Sequence, residues 1–325
     1  MSRAEKYLSE SNTSALKGIF AIGILLHHLY QYSGILRDTP FGGVLQCLGY
    51  LSVGMFFFYT GYGLMLSCKK SGYLNTFFCK RVIPLYTFYV VLIITYTIYD
   101  SLLGIYIEPN KLVQSFLFGY SLVPLAWYLQ VTFLIYLIYW VVFKMINSDV
   151  IKMSVIGIIL VLLCIICFRQ GLSTTWYEGF FCILFGMVWS WKKEKIDKAL
   201  THSSLLLLGI VVVLFVAFTL MQLRLGVISK MLSAATFSAM VTIFAYLVAD
   251  TKIVNNKIAQ FLGRNSLGIY VSQGFFLILR KQTKILDNTY IFIAVTIIGT
   301  MVIAIVMQLI YVKITGLFRN SLNVE

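Results

Sequence analysis

The chain has 325 residues, 60% of them hydrophobic and 12% charged, with a formal net charge of +14. Soluble domains carry about 25% charged residues, so a soluble globular fold is excluded. The apolar residues fall in runs near the ~20 that cross a bilayer as helix, too long for the ~10-residue alternating strands of a β-barrel.

Ten spans are expected, at roughly 15–33, 44–66, 82–99, 123–143, 151–168, 174–191, 203–221, 231–249, 266–279 and 289–312. The fold class is therefore an all-α polytopic integral membrane protein. It is a bundle of about ten transmembrane helices in one domain over 1–325, with no separate soluble domain. With the N-terminus inside, 18 of the 26 Lys and Arg residues fall on the cytoplasmic side. That bias follows the positive-inside rule and places both termini in the cytoplasm. Topology and anionic membrane lipid thus explain the basic excess, and no nucleic-acid partner is expected. The first span follows polar residues and lacks a small-residue cleavage site, so it reads as a retained helix.

The first span holds His27 and His28, two of the three histidines in the chain. Ionisable groups inside a bilayer mark functional sites unless they are paired within protein, and imidazole suits proton transfer near neutral pH. Lys17 precedes His28 by eleven residues, about three helical turns and ~16 Å along the same face. It reads either as a lysine snorkelling at the helix end or as part of a site. In the second span, Thr60-Gly61-Tyr62-Gly63 fits close helix packing and a substrate wall equally well. Before the third span, Lys80 and Arg81 precede Pro84. A proline suits the first turn of a helix, and an arginine beside a helix start can dock phosphates; a topological anchor is the competing reading.

Asp100, at the outer end of the third span, is expected to be solvated. The loop at about 100–122 carries a stretch, Leu112–Tyr120, suited to lie along the membrane surface. Cys164 and Cys167 form a C-x-x-C inside an apolar span without flanking ligands, which reads as core packing, and no metal site is expected. Glu178 lies about one turn inside the outer end of the sixth span. There it would orient His28, bind a substrate hydroxyl, or reach outer water.

Several of these features, in order, resemble the membrane-bound acyltransferase 3 family of glycan O-acyltransferases. That family has a basic residue eleven positions before a histidine in its first helix, here Lys17 and His28. It has an aromatic stretch ending in a small hydroxyl residue and glycine, here Phe56-Phe57-Phe58-Tyr59-Thr60-Gly61-Tyr62. It has an arginine three residues before a proline, here Arg81 and Pro84; a second arginine expected earlier is Phe78. Trp127-Tyr128-Leu129-Gln130 matches its tryptophan motif. Gly263-Arg264-Asn265-Ser266-Leu267-Gly268-Ile269-Tyr270 matches the segment leading into a late helix, where Gln273 replaces a frequent histidine.

The resemblance implies acyl transfer, most often acetyl, from cytoplasmic acyl-CoA to a hydroxyl of a cell-surface or lipid-linked glycan. Acetyl-CoA is then a donor substrate, with no permanently bound cofactor. His28, with His27 and Glu178 as further candidates, would act in catalysis. Lys17, Lys80 and Arg81 would hold the CoA phosphates. Thr60, Tyr62, Trp127, Asn265, Tyr270 and Gln273 would contact substrate. The family's usual hosts suggest a bacterial inner membrane. Without the resemblance, intramembrane His and Glu with glycine-rich helices also fit a transporter or flippase for a solute or lipid-linked sugar, although no inverted repeat is present.

Overall fold

A computed structural model describes residues 2–118, 120–201, 203–222, 226–254 and 256–320. The described residues form helices and connecting segments, with no strand among them. In chain order the α-helices are α1 (Arg3–Lys6), α2 (Glu10–Ser33), α3 (Pro40–Ser67), α4 (Tyr73–Phe77), α5 (Ile83–Leu102), α6 (Pro109–Phe116), α7 (Trp127–Met145) and α8 (Asp149–Arg169). They continue with α9 (Phe180–Trp191), α10 (Lys193–Leu200), α11 (Ser204–Gln222), α12 (Val227–Leu247), α13 (Lys257–Arg264), α14 (Ser266–Gln282) and α15 (Thr289–Asn320). A π turn, Phe78–Val82, joins α4 to α5, and a 3-10 turn, Thr174–Trp176, precedes α9.

Each expected span contains a helix. Among the described residues, seven segments are long and apolar enough to cross a membrane: α3, the continuous rod Tyr73–Leu102, α7, α8, α11, α12 and α15. The other three expected spans differ for physical reasons. α9 has 12 residues and α14 has 17, rising about 18 and 26 Å, short of the ~30 Å hydrocarbon core. α2 is long enough at 24 residues but mixes polar with apolar positions.

The chain divides into two compact units interleaved in sequence: Met1–His27, Pro40–Ser71 and Ile146–Arg264 in the first, and His28–Thr39, Gly72–Met145 and Asn265–Glu325 in the second. The division falls inside α2, between the two histidines.

In the first unit, α3 packs along α9, and glycines set how close they come. A Cβ on Gly61 would lie 2.0 Å from the Ile183 carbonyl oxygen, and one on Gly186 would lie 2.1 Å from the Phe58 carbonyl oxygen. Backbone therefore meets backbone, the arrangement small residues permit in membranes. Phe57 and Phe58 fill the surrounding core. α2 meets α13 in the same manner at Gly18 and Gly263. α8 and α11 turn long apolar surfaces outward, as lipid-facing helices do.

In the second unit, α5, α7, α14 and α15 surround a core rich in aromatic and polar groups. Tyr96 stacks on Phe275 with ring centroids 4.2 Å apart, and its hydroxyl donates to the Val271 carbonyl at 2.6 Å. Gly274 makes that approach possible, since a Cβ there would lie 2.4 Å from the Tyr96 hydroxyl. Tyr99 donates to the Phe275 carbonyl at 3.0 Å. Hydroxyls thus tie α5 to α14 along two turns.

Candidate active site

His28 is buried in the second unit, with its Nδ1 2.9 Å from Gln273 Oε1. Gln273, fully buried on α14, has its Nε2 3.0 Å from the Tyr270 carbonyl. A carbonyl oxygen only accepts, so the amide nitrogen of Gln273 must point at Tyr270 and its oxygen at His28. The oxygen in turn only accepts, so His28 carries its proton on Nδ1. In the neutral ring, Nε2 then holds the lone pair. This tautomer is assigned from the hydrogen-bond network. Tyr270 is held in its own turn, its hydroxyl donating to the Leu125 carbonyl and its ring edge-on to Tyr128 at 5.5 Å. A chain of contacts therefore runs from the Trp127-Tyr128 motif through Tyr270 and Gln273 to His28.

His27 has a different setting. Its Nδ1 donates to the Leu45 carbonyl on α3 at 3.0 Å, and its ring lies against Gly49, where an added Cβ would come within 2.4 Å. These contacts join α2 to α3 in the first unit. One step along the helix turns a side chain by about 100°, which is how adjacent histidines come to face different surroundings.

Lys17, half-buried, stands 5.6 Å above the ring of Tyr59. Thr60 donates to the Phe56 carbonyl of its own helix at 2.9 Å, and Tyr62 is buried. Gly61 serves helix packing, whereas Gly63 has nothing within 4 Å of an added Cβ. Glu178 is buried in the first unit, accepts from Thr174 at 3.2 Å and lies 4.0 Å from Lys230. Asn265 is buried at the start of α14.

The expected helix start at Pro84 is absent, because the helix runs on from Tyr73 through the π turn. Pro84 has no N–H to offer the Lys80 carbonyl, and the wider turn lets Ile83 N–H bond the Phe78 carbonyl instead. Some of the N–H groups that a free helix start would offer to phosphate are therefore used. Lys80, half-buried, and Arg81, exposed, remain as side-chain cations, and Arg81 lies near the tyrosines Tyr73, Tyr136 and Tyr311. π turns inside helices occur often at functional sites.

Asp100, expected in water, is only 7% exposed, and its Oδ1 has no hydrogen-bond partner. A lone acid at the end of an apolar span gave no sequence signal for this burial.

The acyltransferase domain's family model matches residues 13–312, both histidines and the whole His28–Gln273–Tyr270 chain included. The chain belongs to the acyltransferase 3 family. No curated protein and no solved structure matches it. With its seven long apolar helices, this member of the family is a membrane acyltransferase.

Proposed function

We propose that this acyltransferase moves an acyl group, acetyl by preference, from cytoplasmic acyl-CoA to a hydroxyl of a cell-surface or lipid-linked glycan, in a bacterial inner membrane. The observation that carries this reading is the buried His28, whose tautomer is set by Gln273. An alcohol is a poor nucleophile until a base takes its proton. His28 Nε2 would accept the acceptor hydroxyl proton as the oxygen attacks the thioester carbonyl carbon. The C–O bond forms, the C–S bond breaks, and the imidazolium returns the proton to the departing CoA sulfur. Gln273 holds the ring throughout and acts as a positioning residue.

Lys80 and Arg81 stand 20 and 19 positions before Asp100 on one continuous helix, about 30 Å along its axis. If the Lys80 end faces the cytoplasm, as the charge bias requires, those cations are placed to hold the CoA phosphates while the pantetheine arm extends inward. The other end then faces the acceptor.

The test is transfer of label from acetyl-labelled acetyl-CoA, supplied at the cytoplasmic face of membrane vesicles, into glycan. His28→Ala is expected to abolish transfer, a loss of at least ~100-fold for a general base. His27→Ala is expected to retain transfer while losing roughly 1–3 kcal/mol of stability through its vacated packing against Gly49. Full transfer by a folded His28→Ala protein would eliminate the mechanism. Wild-type membranes that leave acetyl-CoA unconsumed would eliminate the donor assignment and redirect attention to solute or glycolipid flux.

A further inference from the structure

A cleft of about 430 Å³ opens in the second unit where the Ser33 end of α2, the Leu102 end of α5 and the Gln282 end of α14 come together. Its position relative to His28 follows from helix geometry. Tyr32, in the cleft wall, lies four residues beyond His28 on α2, and Leu277 lies four beyond Gln273 on α14. Four residues are about one turn and ~6 Å on the same helix face. The cleft wall therefore begins one turn beyond the His28–Gln273 pair on both helices that hold it.

The lining has the chemistry of a carbohydrate site. Tyr106 and Tyr120 offer aromatic surface, and Tyr106 is largely exposed. Asp100 lines the same cleft, buried, with one carboxylate oxygen lacking a partner. A buried carboxylate oxygen without a donor is costly, and a hydroxyl, a water or an ion reaching it would remove that cost. Two acids, Asp100 and Glu108, are matched by two lysines, Lys111 and Lys281. Glu108 and Lys111 pair with each other at 3.2 Å. The balanced charge favours a neutral ligand over an anionic one.

The backbone beside the cleft is strained as well. Phe118 and Leu125 bracket the wall segment at 120–124, and both adopt left-handed conformations, with φ of 61° and 66°. Non-glycine residues held in that region are strained and cluster at functional sites.

We propose that this cleft binds a neutral pyranose unit of the acceptor glycan. A ring hydroxyl donates to Asp100, the ring packs against the cleft tyrosines, and a neighbouring hydroxyl reaches toward His28. The assignment rests on the acyltransfer reading above for the role of the bound sugar, while binding itself can be measured without any transfer.

The experiment is saturation-transfer NMR on the full chain in lipid nanodiscs. The probes are the methyl pyranosides of glucose, galactose, rhamnose, N-acetylglucosamine and N-acetylgalactosamine, with acetyl-CoA consumption measured on the same samples. At least one probe is expected to bind the wild type. Asp100→Asn is expected to weaken that binding roughly tenfold, the scale of one charge-assisted hydrogen bond. Tyr106→Ala, a change at an exposed position that does not threaten folding, is expected to weaken it as well. Binding by none of the probes, or equal binding by wild type, Asp100→Asn and Tyr106→Ala, would overturn the site. Consumption of acetyl-CoA without pyranoside binding would leave the acyltransfer reading standing and the cleft assignment refuted. Asp100-dependent binding without consumption would do the reverse.

Discussion

At the residue scale, the informative contrast is between two adjacent histidines. Spacing from Lys17 singles out His28, and the structure separates the pair further: His27 is joined to a backbone carbonyl and a glycine, His28 to a glutamine side chain. Gln273 acts through two of its atoms: the nitrogen is fixed by Tyr270, and the oxygen fixes His28. Gln273→Leu would leave both the His28 Nδ1–H and the Tyr270 carbonyl without this partner, and His28 would lose its tautomer preference. The expected result is a fall in kcat of about 10–100-fold with KM for acetyl-CoA little changed. Gln273→Glu keeps an oxygen acceptor at the same place and is expected to retain more activity than Gln273→Leu. Steady-state kinetics on both variants checks this. Equal losses in the two would mean that the residue only fills space.

At the element scale, one glycine of the Thr60–Gly63 run, which read equally well as helix packing and as a substrate wall, serves packing. Gly61 lets α3 meet α9 at backbone distance, and Gly63, two residues on, faces open space. Gly61→Ala is expected to destabilise the protein by about 1–3 kcal/mol, since the new methyl meets a carbonyl oxygen rather than a flexible side chain. Gly63→Ala is expected to be tolerated. Thermal unfolding of the two variants in the same detergent separates them, and equal midpoints would contradict the packing account. The π turn before Pro84 is likewise an element-level result. The proline was legible as a helix start, but only the neighbouring turns decide whether the chain before it unwinds or widens and continues.

At the scale of the whole molecule, the seven long apolar helices among the described residues account for a multi-pass membrane protein. The first unit also holds its own N-terminus. Arg3 and Lys6 of α1 pair with Asp250, after α12, at 3.0 and 2.7 Å. Hydrogen bonds from Lys6 and Arg3 hold the Asp250 carboxyl below its usual range. A carboxylate with a lowered folded pKa adds stability above its unfolded value, and that contribution is lost as pH falls through the folded one. Release of α1 is therefore expected only as pH falls below the ordinary aspartate range, and at neutral pH in Asp250→Asn. Limited proteolysis at the N-terminal lysine and arginine reads it out. An N-terminus equally protected in wild type and Asp250→Asn would show that these exposed pairs do not hold α1.

The sequence by itself determined the membrane class, the apolar runs that became the long helices, and the family, through Lys17, His28, Arg81, Pro84 and the late Gly263–Tyr270 segment. These depend on apolar run length and on local spacing, which the chain carries residue by residue. The tertiary structure decided what the sequence could not. It placed Gln273 beside His28 from 245 positions away, gave Gly61 to packing, buried Asp100, and formed the cleft one turn beyond the histidine. Each of these is a contact between distant segments. Helical periodicity fixes which way a side chain points from its own axis, but only packing decides what it meets.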